Sequence, residues 1–127
     1  MKNQNLIFVV DDSEIFLSLF SRFLSKKGNY EVKSFSSGTK MLRDLYLKPK
    51  AILLDYYLDS SDKAALNGKE IMEIMKLMRE KSPVIIFSGI CNSEKIEELK
   101  QMGIKDFISK DEHNFLEKME NALRKIH

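Results

Sequence analysis

The chain has 127 residues, which fits one compact domain over residues 1–127, and its 43% hydrophobic and 31% charged composition excludes a disordered or fibrous protein. A net charge of +2, carried by scattered lysines, excludes a basic nucleic-acid tail, and no apolar run approaches the roughly 20 residues that span a bilayer. One cysteine, Cys91, leaves no internal disulfide, and the first residues lack the pattern of a signal peptide, so a reducing cytoplasm is expected.

Five short apolar runs alternate with segments of helical period, which predicts an α/β fold with helices flanking a parallel sheet. Leu6 to Val10 has no polar interruption, as in a strand covered on both faces. After Asp11-Asp12-Ser13, the residues Ile15, Phe16, Leu19, Phe20, Phe23 and Leu24 recur at helical spacing, and Gly28 offers a left-handed cap. Glu31 to Phe35 reads as an edge strand with Val32 and Phe35 inward. Met41, Leu42, Leu45 and Tyr46 predict a short second helix, which Pro49 keeps from running into the strand Ala51 to Leu54.

Residues 56–67 have little apolar periodicity and read as a long surface loop before Gly68. Ile71, Met72, Ile74, Met75 and Met78 predict the third helix, ended by Ser82-Pro83 ahead of a buried strand, Val84 to Phe87. Asn92 or Ser93 can cap a helix carrying Ile96, Leu99 and Met102, with Gly103 closing it before a strand around Phe107-Ile108. Leu116, Met119, Leu123 and Ile126 form the stripe of a last helix. The methionines of the third and fifth helices read as core filler.

Polar residues interrupt these strands at their carboxyl ends: Asp11-Asp12, Asp55, Ser88 and Lys110. In a doubly wound sheet ordered 2-1-3-4-5, ligands bind outside those ends where the winding reverses, between strands 1 and 3. Two carboxylates about 4 Å apart repel by roughly 4 kcal/mol at an effective dielectric of 20, so three gathered there call for a cation. A hard divalent ion such as Mg²⁺ suits carboxylates and phosphate oxygens. Lys110 adds a movable charge and Ser88 a hydroxyl donor, a set suited to phosphoryl transfer onto an aspartate. Singly, Asp12 or Ser13 could cap a helix, Lys110 could be solvated and Ser88 could satisfy a turn. Five such positions at four strand ends favour a site.

These residues resemble the receiver domain of two-component response regulators, over essentially the whole chain. The acidic pair Asp11 and Asp12, the acceptor position Asp55, Ser88-Gly89, and Phe107 three residues before Lys110 carry the resemblance. It implies a flavodoxin-like (βα)5 fold and a phosphorylation switch in place of a metabolic enzyme. Asp11, Asp12 and Asp55 would hold Mg²⁺ with the backbone carbonyl of Tyr57, Ser88 and Lys110 would contact the phosphoryl group, and Phe107 would turn inward. The implied donor is a histidine kinase or histidine phosphotransfer protein. The output would pass through helix 4, strand 5 and helix 5 to a protein target, an effector domain outside this chain, or a second copy.

Three features depart from the family pattern. Leu58-Asp59 stand where Met-Pro is usual, and Gly68 comes late, so the loop is lengthened. Asp111 follows Lys110 where a cis proline is usual, and a trans bond is expected because a non-proline cis bond costs about 3 to 4 kcal/mol. Tyr57 and Ile90 bring no polar side chain to align water, which predicts a long-lived phosphorylated form, checked by its rate of phosphate loss against a Tyr57→Asn variant. The rival readings are a phosphorylation-independent interaction module, an aspartate-nucleophile phosphatase and a flavin or nucleotide binder. The phosphatase lacks its Asp-x-Asp pattern and cap here, and two aspartates after strand 1 would repel a nucleotide phosphate. His113 and His127 read as surface residues.

Overall fold

Strands β1 (Asn3–Val10), β2 (Glu31–Phe35), β3 (Pro49–Asp55), β4 (Val84–Ser88) and β5 (Asp106–Ser109) alternate with helices α1 (Glu14–Lys26), α2 (Gly38–Arg43), α3 (Gly68–Leu77), α4 (Ser93–Gln101) and α5 (Phe115–Arg124). The computed structural model describes residues 3–56, 66–89 and 92–126. All strand pairs are parallel, and the order β2-β1-β3-β4-β5 is the one the sequence predicts. Of the long surface loop expected over residues 56–67, residues 57–65 lie outside the described residues.

Strand parity divides the core in two. Phe8, Val10, Ile52, Leu54 and Ile86 pack with Met41 of α2, Ile71 and Met75 of α3 and Leu99 of α4. The alternate residues Ile7, Val9, Leu53, Ile85 and Phe87 pack with Phe20 and Leu24 of α1 and Met119 and Leu123 of α5. Helices on both faces explain why these strands are apolar without alternation. Each fully buried side chain of this size contributes roughly 1.5–3 kcal/mol. Among the described residues, no helix is long and apolar enough to cross a membrane.

Local chemistry sets the helix starts. The Ser13 hydroxyl accepts from the Phe16 N–H at 3.4 Å, so Ser13, and not Asp12, caps α1. Asn67 and Glu70 form a reciprocal capping box on α3, at 2.9 and 3.0 Å, and Asn92 caps α4. Gly28 (φ 88°) and Gly103 (φ 98°) take the left-handed conformation after α1 and α4.

Several expected contacts differ. Ile15 and Leu19 are 80% and 39% exposed, and Leu17 packs on the core instead, because the apolar stripe of α1 is wider than the face the sheet covers. The second helix stops at Arg43, and Leu45–Leu47 forms a separate 3₁₀ turn that turns Tyr46 to solvent. The third helix ends at Leu77, five residues before Ser82, because Arg79 adopts a left-handed φ of 57°. Met72, Met75 and Met119 fill the core, whereas Met78, beyond that helix end, is exposed. Val32 and Phe35, an odd number of positions apart, pack on opposite faces of the sheet. Ile126 lies past the end of α5 yet is buried.

Candidate functional site

The strand parity that builds the α1/α5 core also aims the charges beyond it. Asp11 is in phase with Val9, Asp55 with Leu53 and Lys110 with Ile108, so all three emerge on one face at the carboxyl edge. The Asp11 N–H donates to the Phe35 carbonyl at 3.0 Å, and the Lys110 N–H donates to the Ser88 carbonyl at 2.8 Å. These bonds extend the sheet one residue past its strands.

Asp11 is fully buried and Asp55 is 4% exposed, whereas Asp12 faces solvent. One carboxylate oxygen from each of Asp11, Asp12 and Asp55 lies within 4.8 Å of the others. The Lys110 ammonium donates to Asp11 Oδ2 at 3.0 Å and to Asp55 Oδ2 at 3.3 Å. Asp11 Oδ1 accepts from the Ser13 N–H at 2.9 Å, which fixes the carboxylate plane. Among the described residues, three acids thus face one lysine. That excess of hard oxygen donors, with one member reaching solvent, fits a hard divalent cation.

Lys110 is confined from the other side by aromatic rings. Its Nζ lies 4.0 Å from the Phe16 ring centroid and 5.1 Å from that of Phe87. Ser88 is buried at the end of β4 and pairs in register with Ser109. Phe107 is half-buried and packs on the α2–α4 side of the sheet. The Lys110-Asp111 peptide is trans, as expected. Tyr57 and Ile90 lie outside the described residues, as does His127, while His113 is exposed.

Sequence reasoning missed Phe16, Phe87 and Gly68 as neighbours of the site. Phe16 stands four residues after Asp12, one helical turn, and that spacing was the available signal. The Gly68 N–H donates to the Tyr56 carbonyl at 2.8 Å. A Cβ at Gly68 would meet Tyr56 Cδ2 at 3.0 Å and Tyr56 Cα at 3.1 Å. Gly68 therefore clamps the chain's return to the residue immediately after Asp55. Away from the site, hydrogen bonds to Asp44 and Glu98 raise the Lys33 and Lys69 ammonium groups, and burial with the Glu120 charge raises the Tyr30 hydroxyl.

A family model described as the response regulator receiver domain matches residues 7–123. A putative NtrX-like response regulator of Rickettsia felis is 33% identical over 109 residues, covering 85% of this chain and 22% of that protein. A protein-glutamate methylesterase/protein-glutamine glutaminase of Clostridium acetobutylicum is 32% identical over 124 residues, covering 94% of this chain and 34% of its own length. The chain thus spans only a minor part of these curated relatives. Among solved structures, the receiver domain of NtrX from Brucella abortus superposes with a TM-score of 0.76 at 27% identity, covering 94% of this chain and 98% of that one. Vibrio cholerae CheY4, at 20% identity, shares the fold with a TM-score of 0.81 over 98% of this chain and 100% of its own.

Proposed function

Because the chain belongs to the response regulator receiver domain family, we propose that it is a phosphoacceptor switch that takes a phosphoryl group onto Asp55. The observation that carries this reading is the convergence of three carboxylates within 4.8 Å, two of them joined by Lys110. The donor is a histidine kinase or a histidine phosphotransfer protein in the cytoplasm. An Asp55 carboxylate oxygen attacks the phosphorus in line, the new O–P bond forms as the donor's N–P bond breaks, and the released imidazole takes its proton from solvent.

Asp11, Asp12 and Asp55 would hold Mg²⁺, and the bound ion would supply charge neutralisation to the phosphoryl oxygens; the further ligand that the family resemblance implies, the carbonyl of Tyr57, lies outside the described residues. Lys110 already bridges Asp11 and Asp55, so a small displacement brings its ammonium to a phosphoryl oxygen. Ser88 contributes a hydroxyl donor from the adjacent strand end, and its movement draws Phe107 further inward. The changed surface of α4, β5 and α5 signals to a protein target, to an effector domain beyond this chain, or to a second copy. The protein catalyses only its own phosphorylation and dephosphorylation.

Treatment with acetyl phosphate and Mg²⁺, followed by mass spectrometry, tests the assignment. One added phosphate should map to Asp55 and disappear in Asp55→Asn. The absence of any Asp55-dependent label would favour a phosphorylation-independent interaction module on the same fold.

A further inference from the structure

We propose that Phe16 is a positioning residue whose ring face holds the Lys110 ammonium at the site when a divalent cation shares the carboxylates. The kinetic part of this inference rests on the phosphoacceptor reading, whereas the structural part stands without it. Lys110 Nζ lies 4.0 Å from the Phe16 centroid, and the Lys110 side chain is only 13% exposed. Among the described residues, this is the shortest lysine–ring approach. The other lysines over rings stand at 5.2 Å (Lys27 over Phe23), 5.4 Å (Lys95 over Tyr56), 5.8 Å (Lys33 over Phe35) and 6.0 Å (Lys50 over Tyr30). Lys110 also lies over a second ring, since Phe87 stands 5.1 Å away.

The Phe16 ring does not float. It packs on Phe20 at 5.9 Å and edge-on to Phe115 at 6.1 Å, and Phe20 in turn meets Phe87 edge-on at 5.0 Å. Helices α1 and α5 and strand β4 therefore fix the ring face against which the ammonium rests. Its backbone N–H is held by the Ser13 hydroxyl.

The two ion pairs of Lys110 depend on Asp11 and Asp55, the same carboxylates that converge with Asp12. A divalent cation there draws on the same oxygens and repels a neighbouring ammonium. The attraction between an ammonium and an aromatic face comes from the ring quadrupole, so it survives that competition. Without it, a flexible lysine would extend toward water. Phe16 thus supplies the part of the Lys110 hold that the metal does not weaken.

Fluorinated phenylalanines at position 16, in a mono-, tri- and pentafluoro series, keep the ring's shape while draining its negative face, and Phe16→Leu removes the ring. Two readouts apply, both in Mg²⁺: the displacement of the Lys110 ε-methylene proton resonances by the ring current, and the rate of Asp55 labelling by acetyl phosphate. Urea unfolding identifies variants that are folded. The displacement should shrink stepwise with fluorination, and labelling should slow by about tenfold in the pentafluoro and Leu proteins. Resonances and rates insensitive to fluorination would overturn the proposal, as would a slow Leu variant beside a fully active pentafluoro variant, which would assign Phe16 to packing alone. If the parent protein takes no label, the phosphoacceptor reading fails by itself, and the resonance displacements alone decide the role of Phe16.

Discussion

The two edges of the sheet use charge in opposite ways. At the carboxyl edge, Asp11 and Asp55 are buried, Lys110 is 13% exposed, and the three groups converge. At the amino edge, Lys26, Lys27, Lys76, Arg79, Lys81, Lys105 and Lys125 are all exposed. Each helix runs back against its strand, so the amino edge collects the negative ends of the helix dipoles, and basic side chains there stabilise by about 0.3–1 kcal/mol apiece. Charge type alone does not mark a site. Several buried charges converging do, whereas the buried Glu120 near the amino edge is a single acid met by the exposed Lys27 and Arg124.

The lysines of the two edges should differ most of all in their effect on phosphorylation. Replacing Lys110 with Ala removes a donor aimed at the developing charge and should slow Asp55 labelling by about 100-fold. Lys81→Ala, at the amino edge, should change the rate less than about twofold by the same assay. Equal effects of the two substitutions would erase the distinction between the edges.

A Cβ at Gly68 would press on the Tyr56 backbone, so Gly68→Ala should destabilise by about 1–3 kcal/mol in urea unfolding through overpacking. Mg²⁺ at ten times its dissociation constant should raise unfolding free energy by about 1.4 kcal/mol. Asp12→Asn should weaken that response, whereas removing an acid from the amino edge, as in Asp106→Asn, should leave it intact.

The smallest effect concerns Lys33, whose ammonium is raised first by its hydrogen bond to Asp44. A raised folded value means that this contribution is fully present below the ordinary lysine value and fades as pH rises through the folded one. Asp44→Asn should therefore flatten a shallow loss of stability above about pH 10, measured by denaturant titration at several alkaline pH values. An undiminished slope would remove the Lys33–Asp44 pair as its source.

Much of this architecture was legible in the chain. The unbroken runs Leu6 to Val10, Ala51 to Leu54 and Val84 to Phe87 are covered on both faces, and the caps at Gly28, Asn92 and Gly103 stand where their backbone demands put them. The exposure of Ile15 and the early end of α3 were not legible. Periodicity marks a stripe without saying which part of it meets the sheet, and a left-handed arginine at position 79 has no local signature.

Local period and polarity already set the alternation of strands and helices and put Asp11, Asp12, Asp55, Ser88 and Lys110 at strand ends. The position of Lys110 between two carboxylates and the ring of Phe16, and the closing of Gly68 on Tyr56, arise from packing across the whole fold. Asp11 and Lys110 are 99 positions apart, and no local rule sets the distance between side chains that far separated. That distance follows from the register of five parallel strands, which is a property of the packed sheet.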